Sequence, residues 1–538
     1  MHKALAVAGA LASATAAQAT PAFTDLSATL PVTHVYDGGW AHFVGGGVAV
    51  FDCDGNGLPD LFAAGGAAPS HLFINRTDGA GAPLRFAAAE VPDLDAVTGA
   101  YPLDIDGDGV LDLFVLRAGP NAVLRGLGEC RFERAEARWG IDPGDDWSTA
   151  FSAAWGPGEA WPTLAVGNYV DREDPEGPFG TCDDNALYRP EGRHYVPPEV
   201  IRPGYCALSM LFTDWSGQGQ QDLWVSNDRH YYVHDGQEQL FRAWPDLSEY
   251  TAADGWQPYK LWGMGIASRD ITGDARPEIA VTSMADQKLF QLQDGPGPGF
   301  ASIAYARGTT AHVPYMGDEG RPSTGWHVQF GDVDNDGRDD LFIAKGNVNQ
   351  MPSIAVRDPD NLLMQNEDGT FREVGDKAGI GSFARGRGGA LVDLNRDGLL
   401  DLVVVQRRAE LKLYQNVTAG TGHWLKVRLA QPSGNRNAVG ARIELETPAG
   451  RQYREVTIGG GHAGGQLGYE HFGLGAAGEA RLRVRWSDGS TGPWHRLAAD
   501  GHVQLEKGRA PLRAAERADA GQPGFNCGDA ARCRKSRR

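Results

Sequence analysis

Asp332, Asp334, Asp336 and Asp340 fall at positions 1, 3, 5 and 9 of one nine-residue run, Asp332-Val333-Asp334-Asn335-Asp336-Gly337-Arg338-Asp339-Asp340. In a tight loop, alternate spacing turns such side chains toward one centre. At ~5 Å and an effective dielectric of ~20, each carboxylate pair repels by ~3 kcal/mol. A bound cation relieves that repulsion. The donors are all hard oxygens, which suit Ca²⁺ better than Zn²⁺ or copper. The Arg338 carbonyl at position 7 offers a fifth ligand, and Gly337 permits the turn. An EF-hand is excluded, because that loop needs a bidentate Glu at position 12 and a helix after it. Position 12 is Ile343, inside the apolar run Leu341-Phe342-Ile343-Ala344. A short run of this kind reads as a buried strand. The unit is therefore strand, acidic loop, strand.

The pattern recurs. Asp52-Cys53-Asp54-Gly55-Asn56 opens a first copy, Asp104-Ile105-Asp106-Gly107-Asp108 a second, and Asp393-Leu394-Asn395-Arg396-Asp397 the last. Asp270-Ile271-Thr272-Gly273-Asp274 begins a variant that ends in Glu278. Two copies are degenerate. Asp214 to Asp222 keeps its end carboxylates but has Ser216 and Gln218 between them, and around Trp155–Thr163 only the following strand survives. Seven units of roughly fifty to sixty residues imply a repeat architecture. Each has a small-residue strand before the loop, such as Gly45-Gly46-Gly47-Val48, an apolar strand after it, and an outer pair. Asp368-Gly369 marks the turn of one outer pair. Four strands per unit, seven times over, predict an all-β protein built on a seven-bladed β-propeller, with small residues lining its channel. The seventh unit lacks a fourth strand. Phe23-Thr24-Asp25-Leu26 is expected to supply it and so cover an open edge.

The chain has 538 residues, 73 of them Gly, and a formal charge of −19. Such a balance is a poor match for nucleic acid or an anionic membrane. Residues 1–19 read as a secretory signal ending Ala17-Gln18-Ala19, and no other stretch is long and apolar enough to span a bilayer. Export to the periplasm or the medium is expected. Six cysteines fit an oxidising compartment. Cys182 and Cys206 bracket a Pro/Gly-rich insertion at 170–206 and are expected to pair there. Cys527 and Cys533 close a small ring, and the pairing of Cys53 with Cys130 stays open. The propeller is assigned to 20–416. From 417 to 506 the texture changes to strict alternation, as in His423-Trp424-Leu425-Lys426-Val427-Arg428-Leu429, which predicts a separate, small antiparallel β-sandwich. Residues 507–538 read as a flexible tail.

At this point the motifs resemble known ones. The repeats look like the FG-GAP/VCBS repeats of integrin α-subunit propellers. Asn435-Arg436-Asn437-Ala438-Val439-Gly440-Ala441 and His471-Phe472-Gly473-Leu474-Gly475 look like an ASPIC/UnbV domain. The two in this order resemble the cartilage acidic protein family and its bacterial relatives. That resemblance implies a secreted, Ca²⁺-binding propeller used in adhesion or matrix interaction. Animal members add an EGF-like module at the end, where this chain has the Cys527/Cys533 tail. Carried over residue by residue, the resemblance implies as metal ligands Asp52, Asp54, Asn56 and Asp60; Asp104, Asp106, Asp108 and Asp112; Asp270, Thr272, Asp274 and Glu278; Asp332, Asp334, Asp336 and Asp340; and Asp393, Asn395, Asp397 and Asp401. The Asp214 loop, with two carboxylates, is left out.

His423, His462 and His471 lack Cys or acidic partners at metal spacing and read as packed or capping residues. Trp147, Trp155, Trp161, Trp215, Trp224, Trp256 and Trp262 read as packing between blades. There is no G-x-S-x-G, no H-E-x-x-H and no phosphate loop. The expected function is non-enzymatic: a monomeric propeller, stapled by several Ca²⁺ ions, that presents loops to a protein or glycan partner. The alternatives are a Ca²⁺-dependent polysaccharide lyase or hydrolase, with Asp183, Asp184 and Glu191 as its acids, or a lectin using the tryptophans.

Overall fold

Every acidic loop is closed by one register pair, the residue before position 1 facing position 9: Phe51 with Asp60, Leu103 with Asp112, Ala154 with Thr163, Thr213 with Asp222, Arg269 with Glu278, Gly331 with Asp340, and Val392 with Asp401. A computed structural model describes residues 19–174, 181–228, 236–318 and 320–513. In it these hairpins are the inner halves of seven four-stranded antiparallel sheets. The innermost strands are Val48–Phe51 (blade 1), Val97–Leu103 (blade 2), Ser148–Ala154 (blade 3), Ala207–Thr213 (blade 4), Gly263–Arg269 (blade 5), Gly325–Gly331 (blade 6) and Arg385–Val392 (blade 7). Each lies beside the next, and blade 7 returns to blade 1. Phe23–Asp25 is the outer strand of blade 7, paired with Lys412–Asn416 through Phe23↔Asn416 and Asp25↔Tyr414.

The 170–206 insertion is not a loop added between blades. It contains Asn185–Tyr188 and Glu199–Ile201, the two outer strands of blade 3. The Cys182–Cys206 disulfide closes it. A second disulfide, Cys53–Cys130, ties the acidic loop of blade 1 to the outer turn of blade 2. Cys527, Cys533 and residues 1–18 lie outside the described residues. No described helix is long and apolar enough to cross a membrane.

The C-terminal region is a sandwich of two four-stranded sheets. One joins His423–Ala430 to Glu470–Gly475, Gly501–Glu506 and Leu512–Arg513; the other joins Arg442–Thr447 to Gly450–Glu455, Glu479–Arg485 and His495–Ala498. The His423–Ala430 and Gly501–Glu506 strands run parallel, so the sandwich is mixed, not wholly antiparallel as expected. It is also not free-standing. Leu425, Val427 and Phe472 share one core with Tyr101, Phe114 and Phe151 of blades 2 and 3. The sandwich covers the face that carries the acidic loops, and its 456–468 segment enters the channel. There Gly460 donates to the Met210 carbonyl at 2.7 Å, Gly461 to that of Ile266 at 2.7 Å, and Ala100 donates to the Ala463 carbonyl at 3.2 Å. Inner strands of a propeller leave backbone groups unpaired on their channel side, and this plug pairs some of them. Its approach explains the small residues of the channel: a Cβ added to Gly47 or Gly99 would stand 1.7 or 1.8 Å from the Ala463 oxygen.

The opposite mouth is filled by the turn around Trp40–His42, whose Trp40, Phe43 and Val44 pack with Trp147, Tyr169 and Trp326. Arg387, fully buried, stacks 3.9 Å over Trp326 and donates to the carbonyls of Phe43, Asn347 and Val348.

Candidate metal centres

The acidic loops are first of all hydrogen-bonded turns. The position-1 carboxylate accepts the position-6 N–H: Asp52 from Gly57 at 2.8 Å, Asp104 from Gly109 at 3.0 Å, Asp332 from Gly337 at 2.7 Å, and Asp393 from Gly398 at 3.1 Å. The position-5 side chain accepts the position-7 N–H, as Asn56 does from Leu58 and Asp336 from Arg338. Gly337 holds φ +92°, where a side chain is strained.

Position 9 has a role that sequence spacing did not reveal. Asp60 accepts the Cys53 N–H on one oxygen and the Asn75 N–H on the other, both at 2.8 Å. Asp112 does the same for Ile105 and Gly126, Asp340 for Val333 and Gln365, and Asp401 for Leu394 and Asn416. This carboxylate welds the loop to the third strand of its blade. Asp and Glu at position 9 even in metal-poor copies were the available signal.

Three sets of carboxylates converge. Ligand oxygens of Asp52, Asp54 and Asp60, of Asp104, Asp106 and Asp108, and of Asp332, Asp334 and Asp336 lie within 4.8 Å of one another. Both oxygens of buried Asp334, and Oδ1 of buried Asp104, have no hydrogen-bond partner. Buried polar atoms are nearly always satisfied, and these lack a protein donor in full hydrogen-bond geometry. Burial, and then the charge of neighbouring carboxylates, pushes Asp334 up to about 6 and Asp104 up to about 7. Burial likewise pushes Asp60 up to about 8, against the pull of its two backbone donors. A divalent ion bound there would oppose both influences, since a nearby opposite charge favours the ionised carboxylate. Arginines hold the outer oxygens: Arg76 on Asp54 at 2.5 Å, Arg125 on Asp106 at 3.0 Å and Asp108 at 2.6 Å, and Arg338 on Asp336.

The other two implied sets do not converge in this way among the described residues. In blade 5, Asp270 accepts N–H bonds from Thr272, Gly273 and Ala275, and Asp274 is drawn to Arg276 at 3.2 Å. Glu278 accepts from Ile271 and Gln291. In blade 7, Asn395 donates to Asp397 at 3.0 Å, and Lys426 of the sandwich stands against Asp393. In the degenerate loops protein groups meet the remaining carboxylates. Arg485 meets Asp214 at 2.6 Å, and Glu159 accepts from Gly156 and Thr163.

The histidines are packed or capping. His462 lies in the plug, accepting the Gly45 N–H and donating Nδ1–H to the Met264 carbonyl. His471 meets the Gly398 carbonyl at 3.1 Å, and His423 pairs with Asp500 at 2.7 Å. Trp147, Trp161, Trp215, Trp224 and Trp256 are buried. Trp224 packs 5.0 Å from Trp256 and 5.3 Å from Phe300 of blade 5.

Comparison with known proteins matches residues 52–115 to the FG-GAP-like repeat and residues 431–512 to the ASPIC and UnbV domain. Mouse cartilage acidic protein 1 is 25% identical over 233 residues, 42% of this chain and 34% of that protein. The Xenopus tropicalis protein is 27% identical over 270 residues, 48% of this chain and 38% of that one. The matched stretch thus spans little more than a third of either relative. Among solved structures, BBS1N in complex with ARL6DN aligns at a TM-score of 0.42 and 14% identity, covering 72% of this chain and 94% of that chain.

Proposed function

Since the chain belongs to the cartilage acidic protein-like family, which joins FG-GAP repeats to an ASPIC and UnbV domain, we propose that it is an exported, calcium-binding propeller that binds a protein or glycan partner without turning it over. The observation that carries the calcium reading is Asp334, buried with two unpartnered oxygens beside Asp332 and Asp336. The residues of blades 1, 2 and 6 fit a hard dication. Asp52, Asp54, Asn56 and Asp60 would hold it in blade 1; Asp104, Asp106, Asp108 and Asp112 in blade 2; Asp332, Asp334, Asp336 and Asp340 in blade 6. Bound there, Ca²⁺ supplies charge neutralisation and oxygen coordination. Each loop sits between two strands of one blade, so the ion's role is that of a staple. Two disulfides support export.

Binding is favoured over cleavage by the geometry of the candidate acids. Asp183 is hydrogen-bonded to Asp146. Carboxylates that flank a glycosidic bond stand about 5–5.5 Å apart in retaining enzymes and about 6.5–9.5 Å in inverting ones. Asp184 is engaged by Arg202 at 3.1 Å and by the Gly204 N–H. Trp147, Trp161, Trp215, Trp224 and Trp256 are buried, so none of these five offers a ring face to a sugar.

Elemental analysis of the purified protein, with thermal melts in Ca²⁺ and in EDTA, tests the reading. Bound calcium and a lower Tm in EDTA are expected, because a ligand at a hundred times its Kd stabilises by about 2.7 kcal/mol per site. Protein free of calcium whose melt ignores EDTA overturns it.

A further inference from the structure

We propose that Lys345 and Asp358 of blade 6 condense with each other to form an intramolecular isopeptide bond. Lys345 ends the second strand, Asp340–Lys345, and Asp358 lies just ahead of the third, Asn361–Gln365. Both side chains are wholly buried, and Nζ stands 2.8 Å from Oδ1. That ion pair is the one contact of Nζ with an acceptor among the described residues. An ammonium carries three donors, and burying it with donors left over is costly. Forming an amide removes both charges.

The carboxyl is set up as an acceptor of the amine. Ser323 Oγ donates to Oδ1 and the Thr324 N–H to Oδ2, each at 2.8 Å. Donors fixed in a dry site hold the negative charge that develops on oxygen when the carbon is attacked. Two further buried carboxyls lie close enough to feel the Lys345 charge. Asp360 accepts the Lys345 backbone N–H at 2.7 Å, and Glu373 accepts from Leu362 and Gly375. Burial raises all three acids: Asp358 in direction, Asp360 up to about 8 and Glu373 up to about 7. The Lys345 charge pulls each of them the other way.

The step balances within the chain. The ammonium passes one proton to Asp358, leaving an amine and a carboxylic acid. The amine attacks Cγ; the new C–N bond forms and the Cγ–OH bond breaks. One N–H proton leaves with that hydroxyl as water, and no oxidant, reductant or cofactor is needed. Fixed proximity supplies the rate, as in other well-oriented intramolecular reactions. The bond locks the 346–357 segment, whose Asn347 and Val348 carbonyls seat Arg387.

The test is a tryptic digest of the purified full chain, read by tandem mass spectrometry, with Lys345→Arg and Asp358→Ala variants beside it. A branched peptide is expected that joins residues 339–357, with Lys345 uncut, to residues 358–372; amine labelling after digestion finds two N-termini on it, which separates it from the linear 339–372 peptide of the same mass. Neither variant should yield it, whether or not that variant folds. Wild-type digests that contain only the free peptides, or water loss confined to a linear peptide as in a succinimide, overturn the proposal.

Discussion

Lys426 Nζ lies 3.1 Å from Oδ2 of Asp393, so an amine of the C-terminal sandwich stands against the first carboxylate of the blade 7 loop. Both side chains are buried. The same face repeats the device with Arg485 on Asp214 and Arg454 on Asp339 at 3.0 Å. The sandwich thus supplies positive charge to loops of blades 4, 6 and 7. In blade 7 it does so at the residue expected to lead a metal site.

Replacing Lys426 should therefore convert a protein-neutralised loop into a cation-dependent one. Lys426→Met leaves Asp393 buried without its partner, and breaking a buried pair typically costs about 3–5 kcal/mol. The variant should melt well below wild type in EDTA and recover part of the difference in millimolar Ca²⁺. Melts of both proteins in both buffers check this; an equal deficit in the two buffers means that the blade 7 loop takes no ion.

Asp334 is the sharpest handle on the metal centres. Asp334→Asn keeps size and hydrogen-bonding capacity but removes one charge from the blade 6 group. One calcium fewer per chain by elemental analysis, and a smaller Tm gap between Ca²⁺ and EDTA, are the expected outcomes. The lost gap should approach about 2.7 kcal/mol where calcium stands at a hundred times its Kd.

What the sequence made legible was local. The acidic loops announce themselves by spacing, and the strand on each side by apolar runs, so the seven hairpins follow from patterns a dozen residues long. What stayed hidden depends on pairs far apart in the chain. Lys426 alternates with Leu425 and Val427, which reads as a water-facing position, yet that face of the strand meets the propeller. Gly459, Gly460 and Gly461 carry no apolar pattern that would announce them, and they lie in the channel plug. The strands of the 170–206 segment were masked by its Pro and Gly content. Cys53 and Cys130 are separated by 77 residues, with no local cue to join them.

The plug makes its own demand on glycine. Gly47 has ordinary negative-φ backbone, so Gly47→Ala tests space alone, and its Cβ would collide with the Ala463 carbonyl. Overpacking of this kind costs about 1–3 kcal/mol. The variant should melt lower than wild type and be cleaved sooner by protease within 456–468. An unchanged melt and cleavage pattern means that the plug moves aside without loss.

The channel also sets the protein's response to acid. His462 is fully buried, with Nε2 accepting the Gly45 N–H at 3.1 Å and Nδ1 donating to the Met264 carbonyl at 3.0 Å. His327 accepts the His462 N–H on Nδ1 at 3.2 Å. Protonation removes these acceptors, and burial is the largest cause that lowers His462 to about 3 and His327 to about 4. The Arg387 charge is part of that lowering at His462. In the unfolded chain both titrate near 6.5. Below that value the unfolded state takes up protons that the folded state refuses, so their stabilising contribution is complete above about pH 6.5 and shrinks as pH falls toward 4. The slope is up to about 1.4 kcal/mol per histidine per pH unit. Buried loop carboxylates with raised values act in the opposite direction, and calcium release adds a third dependence. Comparing wild type with His462→Gln in EDTA cancels both. The difference in unfolding free energy between the two proteins should narrow steadily from pH 6.5 to pH 4, since the glutamine has no proton to take up. A difference that stays constant across that range means that His462 already carries its charge inside the channel.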